Sequence, residues 1–296
     1  MQRDRDNLRQ MIREQGFAEF EDYVLKYARP SIRVYTEQVA DEDTIAIGQS
    51  KIGGRPDLPR NMDWVTASTE AGKVSLHFIA QFDLKDLKPF DEENLLPEWG
   101  ILYFFAGPWS IRKMSDQGRV LYFDGDPSLL ERKEFPDDIP LNKPNEWGER
   151  YDPCSVTFVP EVNLPFDDAA WVEPDYPKGK TWEDFHRLVN SASYPPTQHP
   201  YINKVNRLLG YNYGIPEDLQ LDCQLIADIG IDYNVSQEAR NKAEQHKGDW
   251  QLLFQMDSDT NAGMMWSDAG HICFYIRHDD LRKRDFTNMC LAFFTA

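Results

Sequence analysis

The strongest indication of how this chain folds comes from two short stretches, Phe78-Ile-Ala-Gln-Phe-Asp83 and Leu252-Leu-Phe-Gln-Met-Asp257. Each places one glutamine inside an apolar run, two residues before an aspartate, and the two stretches lie 174 residues apart. Each is followed by a strand-like run led by glycine, Gly100-Ile-Leu-Tyr-Phe-Phe105 or Gly270-His-Ile-Cys-Phe-Tyr275, and these lie 170 residues apart. That separation is too long for a solenoid period but fits a duplicated half. The sequence therefore predicts two related β-rich halves.

The rest of the chain is organised around these stretches. Apolar residues recur at helical spacing over 4–28 until Pro30 ends the pattern, which predicts a helical lead-in packed outside the core. Twelve of the 19 prolines fall between residues 124 and 200, which indicates an ordered but irregular acidic connection. The predicted parts are a lead-in at 1–30 and one domain at 31–296, made of a first half 31–123, the connection 124–200 and a second half 201–296.

The local patterns predict an α+β fold that is predominantly antiparallel β, resembling a roll or a sandwich, with both halves sharing one core. Among the short elements, Thr44–Ile47 is predicted as a strand and Tyr201–Leu209 as a helix that ends at Gly210. Thr181 is predicted to cap a helix over Trp182–Asn190, and Ser236 to begin a later polar helix.

Composition excludes several classes of function. Fifty acidic against 32 basic residues give a formal net charge of −18, which disfavours binding to nucleic acid or to an anionic membrane surface. Aromatic residues make up 13% of the chain, too many for a disordered acidic protein. The N-terminus has no apolar signal region, and the four cysteines are widely spaced. A cytoplasmic protein with reduced thiols is the expectation.

Known catalytic motifs are incomplete in this sequence. Gly179-Lys-Thr181 has only the end of a phosphate-binding loop, and Gly48-Gln-Ser50 lacks the second glycine of a nucleophile elbow. None of the six histidines forms the His-x-x-x-His pair of a zinc site. No catalytic residue is predicted.

One acidic loop is a candidate metal site. Asp257, Asp259, Asn261 and Asp268 supply oxygen atoms at positions 1, 3, 5 and 12 of a twelve-residue segment, as a calcium loop would. The glycine falls at position 7 instead of 6 and the flanking segments resemble strands, which are departures from an EF-hand. The favoured interpretation is a hairpin loop whose acidic residues bind turn amides, with Trp266 as its apolar anchor. Calcium remains the alternative.

Gln81 and Gln255 are predicted to be buried amides, because each lies in an apolar strand. A buried amide must find hydrogen-bonding partners. We expect each side chain to reach the backbone of the other half and so to lock the two β units together.

The same segments resemble the YwqG-like family. The resemblance runs in order from about residue 45 to the C-terminus and departs from the family pattern in the proline-rich middle. It rests on Gly53-Gly-Arg-Pro-Asp-Leu-Pro59, Phe78–Leu84, Leu96-Pro-Glu-Trp-Gly-Ile-Leu-Tyr-Phe-Phe105, Leu208-Leu-Gly-Tyr211, Gly248-Asp-Trp-Gln-Leu-Leu-Phe-Gln-Met-Asp-Ser-Asp259 and Met265-Trp-Ser-Asp-Ala-Gly270. It implies a bacterial cytosolic protein with a β-rich, roll-like fold in a family of unknown function. Some members are thought to lie near secreted-toxin systems, which implies an immunity or interaction role.

These observations favour a non-enzymatic protein-interaction module, for example a toxin-neutralising protein, whose acidic surface suits a basic protein partner. The first alternative is a small-ligand or calcium-binding protein built on the loop from Asp257 to Asp268. The second is an enzyme with unrecognised carboxylate chemistry. No cofactor is expected apart from the calcium alternative. The candidate binding residues are Gln81, Asp83, Gln255, Asp257, Asp259, Trp266 and Asp268.

Overall fold

The chain forms seven α-helices and fourteen β-strands within the residues that the computed structural model describes, which are 5–69, 72–107, 117–139, 150–166, 179–193, 204–213, 218–230 and 235–294. The helices are α1 (Arg5–Glu14), α2 (Glu21–Lys26), α3 (Leu84–Leu87), α4 (Trp182–Ser193), α5 (Leu219–Ile229), α6 (Gln237–Glu244) and α7 (His278–Arg282). The strands are β1 (Arg29–Gln38), β2 (Lys51–Ile52), β3 (Asp57–Pro59), β4 (Thr66–Thr69), β5 (Gly72–Ser75), β6 (His77–Asp83), β7 (Ile101–Ala106), β8 (Gly118–Phe123), β9 (Leu130–Arg132), β10 (Cys154–Asn163), β11 (Arg207–Leu208), β12 (Trp250–Asp257), β13 (His271–Arg277) and β14 (Cys290–Phe294).

Ten strands form one sheet, in which every neighbouring pair is antiparallel. The strand order is β14-β13-β12-β11-β1-β10-β2-β6-β7-β8, and the remaining strands form the pairs β3–β9 and β4–β5. The predicted fold class, α+β with predominantly antiparallel strands, is confirmed. No described helix is long and apolar enough to cross a bilayer.

The large sheet coils until its two edge strands approach each other. Gly118 on β8 lies against Leu291 on β14, and a Cβ atom on that glycine would be 2.7 Å from the leucine Cβ. Inside the curved sheet, the ring of Phe104 on β7 lies 4.9 Å from Phe254 and 5.1 Å from Phe274, measured between centroids. The sheet is therefore nearly a barrel, and its interior is one core shared by the predicted halves.

Strand β7 shows why the sequence carries continuous apolar runs instead of an alternating pattern. Its side chains are buried along its whole length. Leu102 and Phe104 face the shared core, whereas Tyr103 and Phe105 belong to a second cluster that includes Leu58 of β3. Since both faces of the strand are covered, both must be apolar.

The two glutamine-containing strands pair with their neighbours in the same way. Gln81 lies opposite Tyr103, and Gln255 lies opposite Cys273, which reproduces the separations of 174 and 170 residues found in the sequence. In both hairpins a register shift interrupts the pairing just before the glutamine. The two hairpins therefore share one pairing geometry.

The predicted helical lead-in consists of two helices, α1 and α2. Gly16 adopts a φ of +79°, which ends the first helical segment. Leu8 and Ile12 of α1 pack with Phe185 of α4, and the ring of Phe17 lies 4.8 Å from that of Phe185. The lead-in is thus buried against a helix from the predicted connection.

The predicted connection contributes more than irregular chain. Strand β10 pairs with β1 along all ten of its residues and lies near the centre of the sheet. The amide of Asp184 donates to the Thr181 hydroxyl at 3.3 Å, so the predicted cap of α4 is confirmed. Residues 140–149, 167–178 and 194–200 of this stretch lie outside the described part of the chain.

Two short sequence predictions are wrong. Residues 44–47 belong to a 3-10 turn and a loop instead of a strand. The predicted helix at 201–209 is not found from residue 204 onward, where the described chain forms β11 between β1 and β12. Long-range strand pairing overrides a short local helical pattern at this position.

Candidate functional site

Gln81 connects β6 to the loops that cover the outer face of the sheet. Its side-chain oxygen accepts from the Asp57 N–H at 2.8 Å. Its nitrogen donates to the Gln49 carbonyl and to the Asp57 carboxylate, both at 2.8 Å. The amide is fully buried and fully used, so its role is structural.

Gln255 makes the equivalent connection in the second half. Its oxygen accepts from the Tyr213 N–H at 2.8 Å, and its nitrogen donates to the Tyr213 carbonyl at 3.2 Å. Both glutamines thus bind backbone of their own half, and the predicted bridge between the halves is wrong. Successive side chains of a strand point to opposite faces of the sheet. Because Phe82 faces the shared core, the neighbouring Gln81 faces away from it, towards the loops of its own half.

Each glutamine lies opposite a buried cation on the neighbouring strand, which is Lys51 on β2 or Arg207 on β11. The ammonium group of Lys51 lies 3.1 Å from Glu42 and 3.2 Å from Asp57. Burial lowers the pKa of Lys51, although both carboxylates act in the opposite direction. Lys51 and Asp57 are fully buried and Glu42 is 11% exposed, so this network holds loops against the sheet.

Arg207 belongs to a second buried ion-pair network. The carboxylate of Glu161 on β10 lies 2.6 Å from Arg33 on β1 and 2.6 Å from Arg207 on β11. All three side chains are at most 3% exposed. The group joins three strands near the centre of the sheet, where water cannot replace a lost partner.

Asp257, the first residue of the predicted acidic loop, is held by hydrogen-bond donors of the protein. One carboxylate oxygen accepts from the Val205 N–H at 2.9 Å. The other accepts from the Ser258 N–H at 2.8 Å and lies 3.0 Å from Nδ1 of His271. Both oxygens are thus occupied.

Both carboxylate oxygens of Asp259 also have donors within the protein. One of its oxygens lies 2.6 Å from the ammonium nitrogen of Lys204 and accepts from the Asn261 N–H. The other accepts from the Thr36 hydroxyl at 2.6 Å and from the Asn206 amide at 3.0 Å. A lysine cation therefore takes the place beside this carboxylate that a metal ion would need.

The four predicted calcium ligands do not converge on one centre. Asn261 points its side-chain nitrogen at the Thr36 carbonyl, and Asp268 is exposed to solvent. Across the described residues, which include the whole loop, no group of three or more His, Cys, Asp or Glu side chains could hold a metal ion. Calcium binding here remains a prediction that the geometry does not support.

Trp266 is the anchor of this loop, as predicted. The indole is 3% exposed, its Nε1 donates to the Asp257 carbonyl at 3.2 Å, and its ring lies 5.7 Å from that of Tyr151. The loop is a hairpin connection closed by turn hydrogen bonds.

An open concave site lies elsewhere, at the end of β6 and the beginning of β7. It has a volume of about 530 Å³, within the range typical of ligand sites. We call it the Asp83 cleft, and its lining residues are Ala46, Ile47, Gly48, Gln49, Asp83, Lys85, Asp86, Trp99, Gly100, Ile101, Phe123, Gly125 and Pro127. Of the predicted site residues, only Asp83 lies in it.

Two aspartates give the cleft its acidic side. Asp83 caps α3 by accepting from the Lys85 N–H at 3.0 Å. Asp86 accepts from the Ser50 hydroxyl at 2.7 Å, and that hydroxyl also accepts from the Asp83 N–H at 2.9 Å. Burial raises the pKa of Asp83 and the charge of Asp86 adds to the rise, against the effects of the Lys85 amide and ammonium. Both carboxylates keep lone pairs available for a cationic group.

Exposed apolar side chains gather at the same place. Ile47 is 48% exposed and Trp99 is 45% exposed, and both line the cleft. These are two of the six large hydrophobic side chains that are exposed in the described part of the chain. Exposed apolar surface concentrated in a concavity is typical of a binding site.

Sequence reasoning missed most of this cleft. Asp86, Ile47 and Trp99 occupy three separate segments that only the fold brings together. The sequence pattern that pointed to the cleft was the aspartate two residues after Gln81, and this pattern identified Asp83 alone.

Comparison with known proteins places the chain in a family. Residues 50–293 match the family model described as Domain of unknown function (DUF1963). The match covers most of the chain, which therefore belongs to this family. No curated protein gave a match. The resemblance predicted from the sequence is confirmed at the level of a family of unknown function.

Proposed function

We propose that this protein is a non-enzymatic interaction module that binds a basic segment of another protein in the Asp83 cleft. One observation carries the proposal: Ile47 and Trp99 are about half exposed in a concavity that also holds Asp83 and Asp86. Apolar anchors give affinity, and the carboxylates select a cationic partner. The chain's net charge of −18 would also steer such a partner towards it.

The proposal includes the broader features expected from the sequence. These are a cytoplasmic location, YwqG-like membership, a toxin-neutralising role and an origin of the two halves by internal duplication. The shared pairing of the two glutamine hairpins supports the duplication. The acidic cleft supports a basic partner, as a cationic toxin domain would be.

The test begins with a random twelve-residue peptide library displayed on phage and selected against the full chain. We expect the recovered peptides to carry net positive charge and to bind less tightly as salt concentration rises. Affinity is then measured by fluorescence anisotropy with Trp99→Ala and with the double variant Asp83→Asn/Asp86→Asn. Asparagine can still cap α3, so the double variant removes charge without removing the fold.

Two matched controls complete the experiment. Ile229→Ala removes an exposed apolar side chain at the end of α5, and Glu238→Gln removes an exposed charge from α6. The cleft variants should weaken binding about tenfold or more, which is a loss typical of an anchor residue, and the controls should have little effect. Neutral recovered peptides, or equal losses in cleft and control variants, would contradict the proposal.

A further inference from the structure

We infer that the residue held in the Asp83 cleft is an arginine with an apolar neighbour in the partner's sequence. This inference rests on the proposed function and specifies the chemistry of the partner. It follows from the charge of the cleft, from its aromatic wall and from the apolar space beside that wall.

The charge of the cleft favours a cation. Among its lining residues Asp83 and Asp86 are acidic and Lys85 alone is basic. Two further exposed acids, Asp124 and Asp126, alternate in sequence with the lining residues at 123–127. Arg284, which lies over the ring of Trp99, adds a second cation, so four carboxylates face two positive charges. A positive side chain entering here is therefore attracted, whereas a carboxylate would be repelled.

The aromatic wall favours a planar cation. Trp99 lines the cleft, and the guanidinium of Arg284 already lies over its ring, 5.3 Å from the centroid. Arg284 does not line the cleft but lines a neighbouring depression of about 210 Å³. The chain thus stacks its own arginine on this indole from the adjacent depression and leaves the ring partly exposed towards the cleft. A guanidinium can stack on an indole and bind a carboxylate in the same plane, which an ammonium group cannot do.

The remaining space favours an apolar neighbour. Ile47 is 48% exposed on one wall, and Phe123 contributes a half-buried ring. Covering these side chains removes apolar surface from water when the partner binds. A segment with arginine beside leucine therefore fits both parts of the cleft.

The test uses the full chain and two synthetic peptides, acetyl-Gly-Arg-Leu-Gly-amide and the same peptide with citrulline in place of arginine. Citrulline has nearly the same shape and no charge. Binding is followed by NMR through the indole N–H signal of Trp99, which is assigned by its loss in Trp99→Phe. We expect the arginine peptide to shift this signal and to bind about three- to tenfold more tightly than the citrulline peptide. Asp83→Asn should remove most of that difference, and Glu238→Gln should leave it unchanged.

A third peptide and a second variant make the inference specific. The lysine peptide should bind more weakly than the arginine peptide, because it loses the stacking geometry. Arg284→Ala should tighten binding of the arginine peptide relative to the control Arg240→Ala, because it removes a cation that repels the incoming guanidinium and already lies over the indole. Equal affinity for arginine and citrulline would overturn the inference, and so would an effect that persists in Asp83→Asn. If selected peptides still need the cleft under those outcomes, the proposed function survives. If no selected peptide depends on the cleft, the proposed function itself fails.

Discussion

Replacing Gln255 by leucine should destabilise the protein by about 2–4 kcal/mol. The amide is fully buried, and its hydrogen bonds at 2.8 and 3.2 Å are made to the backbone N–H and carbonyl of Tyr213, which is 3% exposed. Leucine leaves both backbone groups buried without this partner, at a cost of about 1–3 kcal/mol each. Burial of the leucine side chain offsets part of that cost. The cost of the two backbone groups, reduced by the burial of leucine, gives the expected net loss of about 2–4 kcal/mol.

The measurement is equilibrium unfolding in urea, followed by circular dichroism. The midpoint should fall while the slope of free energy against urea stays constant. Gln237→Leu is the matched control, because the same change is made on exposed α6, where the amide donates to the exposed Asn241. The control should change stability by no more than about 0.5 kcal/mol. A loss below about 1 kcal/mol for Gln255→Leu, or one equal to the control, would refute the argument.

Three other predictions concern a buried ion pair, pH and calcium. Glu161→Gln should destabilise the protein by about 3–5 kcal/mol in urea unfolding, because two buried guanidinium groups lose their shared anion. A loss as small as that caused by the exposed change Glu238→Gln would contradict this prediction. Burial lowers the pKa of His77 to about 4, against the opposite effect of Asp138. Between pH 4 and about 6.5 the unfolded chain therefore binds more protons at this histidine than the folded protein does. Up to about 3 kcal/mol of stability is lost as pH falls through that window. His77→Gln should flatten this pH dependence in acid unfolding curves, whereas exposed His246→Gln should not. Millimolar calcium should leave the melting temperature unchanged, because donors of the protein already bind the carboxylates of the acidic loop. A calcium-specific rise of several degrees that is lost in Asp257→Asn would contradict this and show that the loop binds calcium.

The strand-rich fold was predictable where the pattern was long. The hairpins containing Gln81 and Gln255 were found because each combines an apolar run with a glycine-led second strand. Strand β11 was missed because it has two residues, and its conformation is set by pairing with β1 and β12 instead of by local preference. The place of β10 near the centre of the sheet was also missed, since prolines made its surroundings resemble a connection.

The candidate site was predictable only in part, for a different reason. Asp83 was identified by its correspondence with Asp257, but sequence cannot show which aspartate keeps access to solvent. A tryptophan is more often a core residue than an exposed one, yet Trp99 is 45% exposed, next to Gly100 with a φ of +103°. The approach of residues 46–49 to this turn is a tertiary contact with no local signal.

The two halves share the geometry of their hairpins but differ in the connection between the paired strands, and the proposed function depends on that difference. After Gln255 the chain turns inward: Asp257 is buried against backbone amides, and Asp259 is neutralised by Lys204. After Gln81 the chain forms α3 and returns through Trp99, so that Asp83 borders an open cleft. A buried and fully paired carboxylate can stabilise a loop, whereas an accessible one can also bind a partner. The same strand scaffold therefore carries a closed structural loop in one half and an open cleft, the proposed binding site, in the other. The tests of binding accordingly belong on the Asp83 cleft and the tests of stability on the Asp257 half.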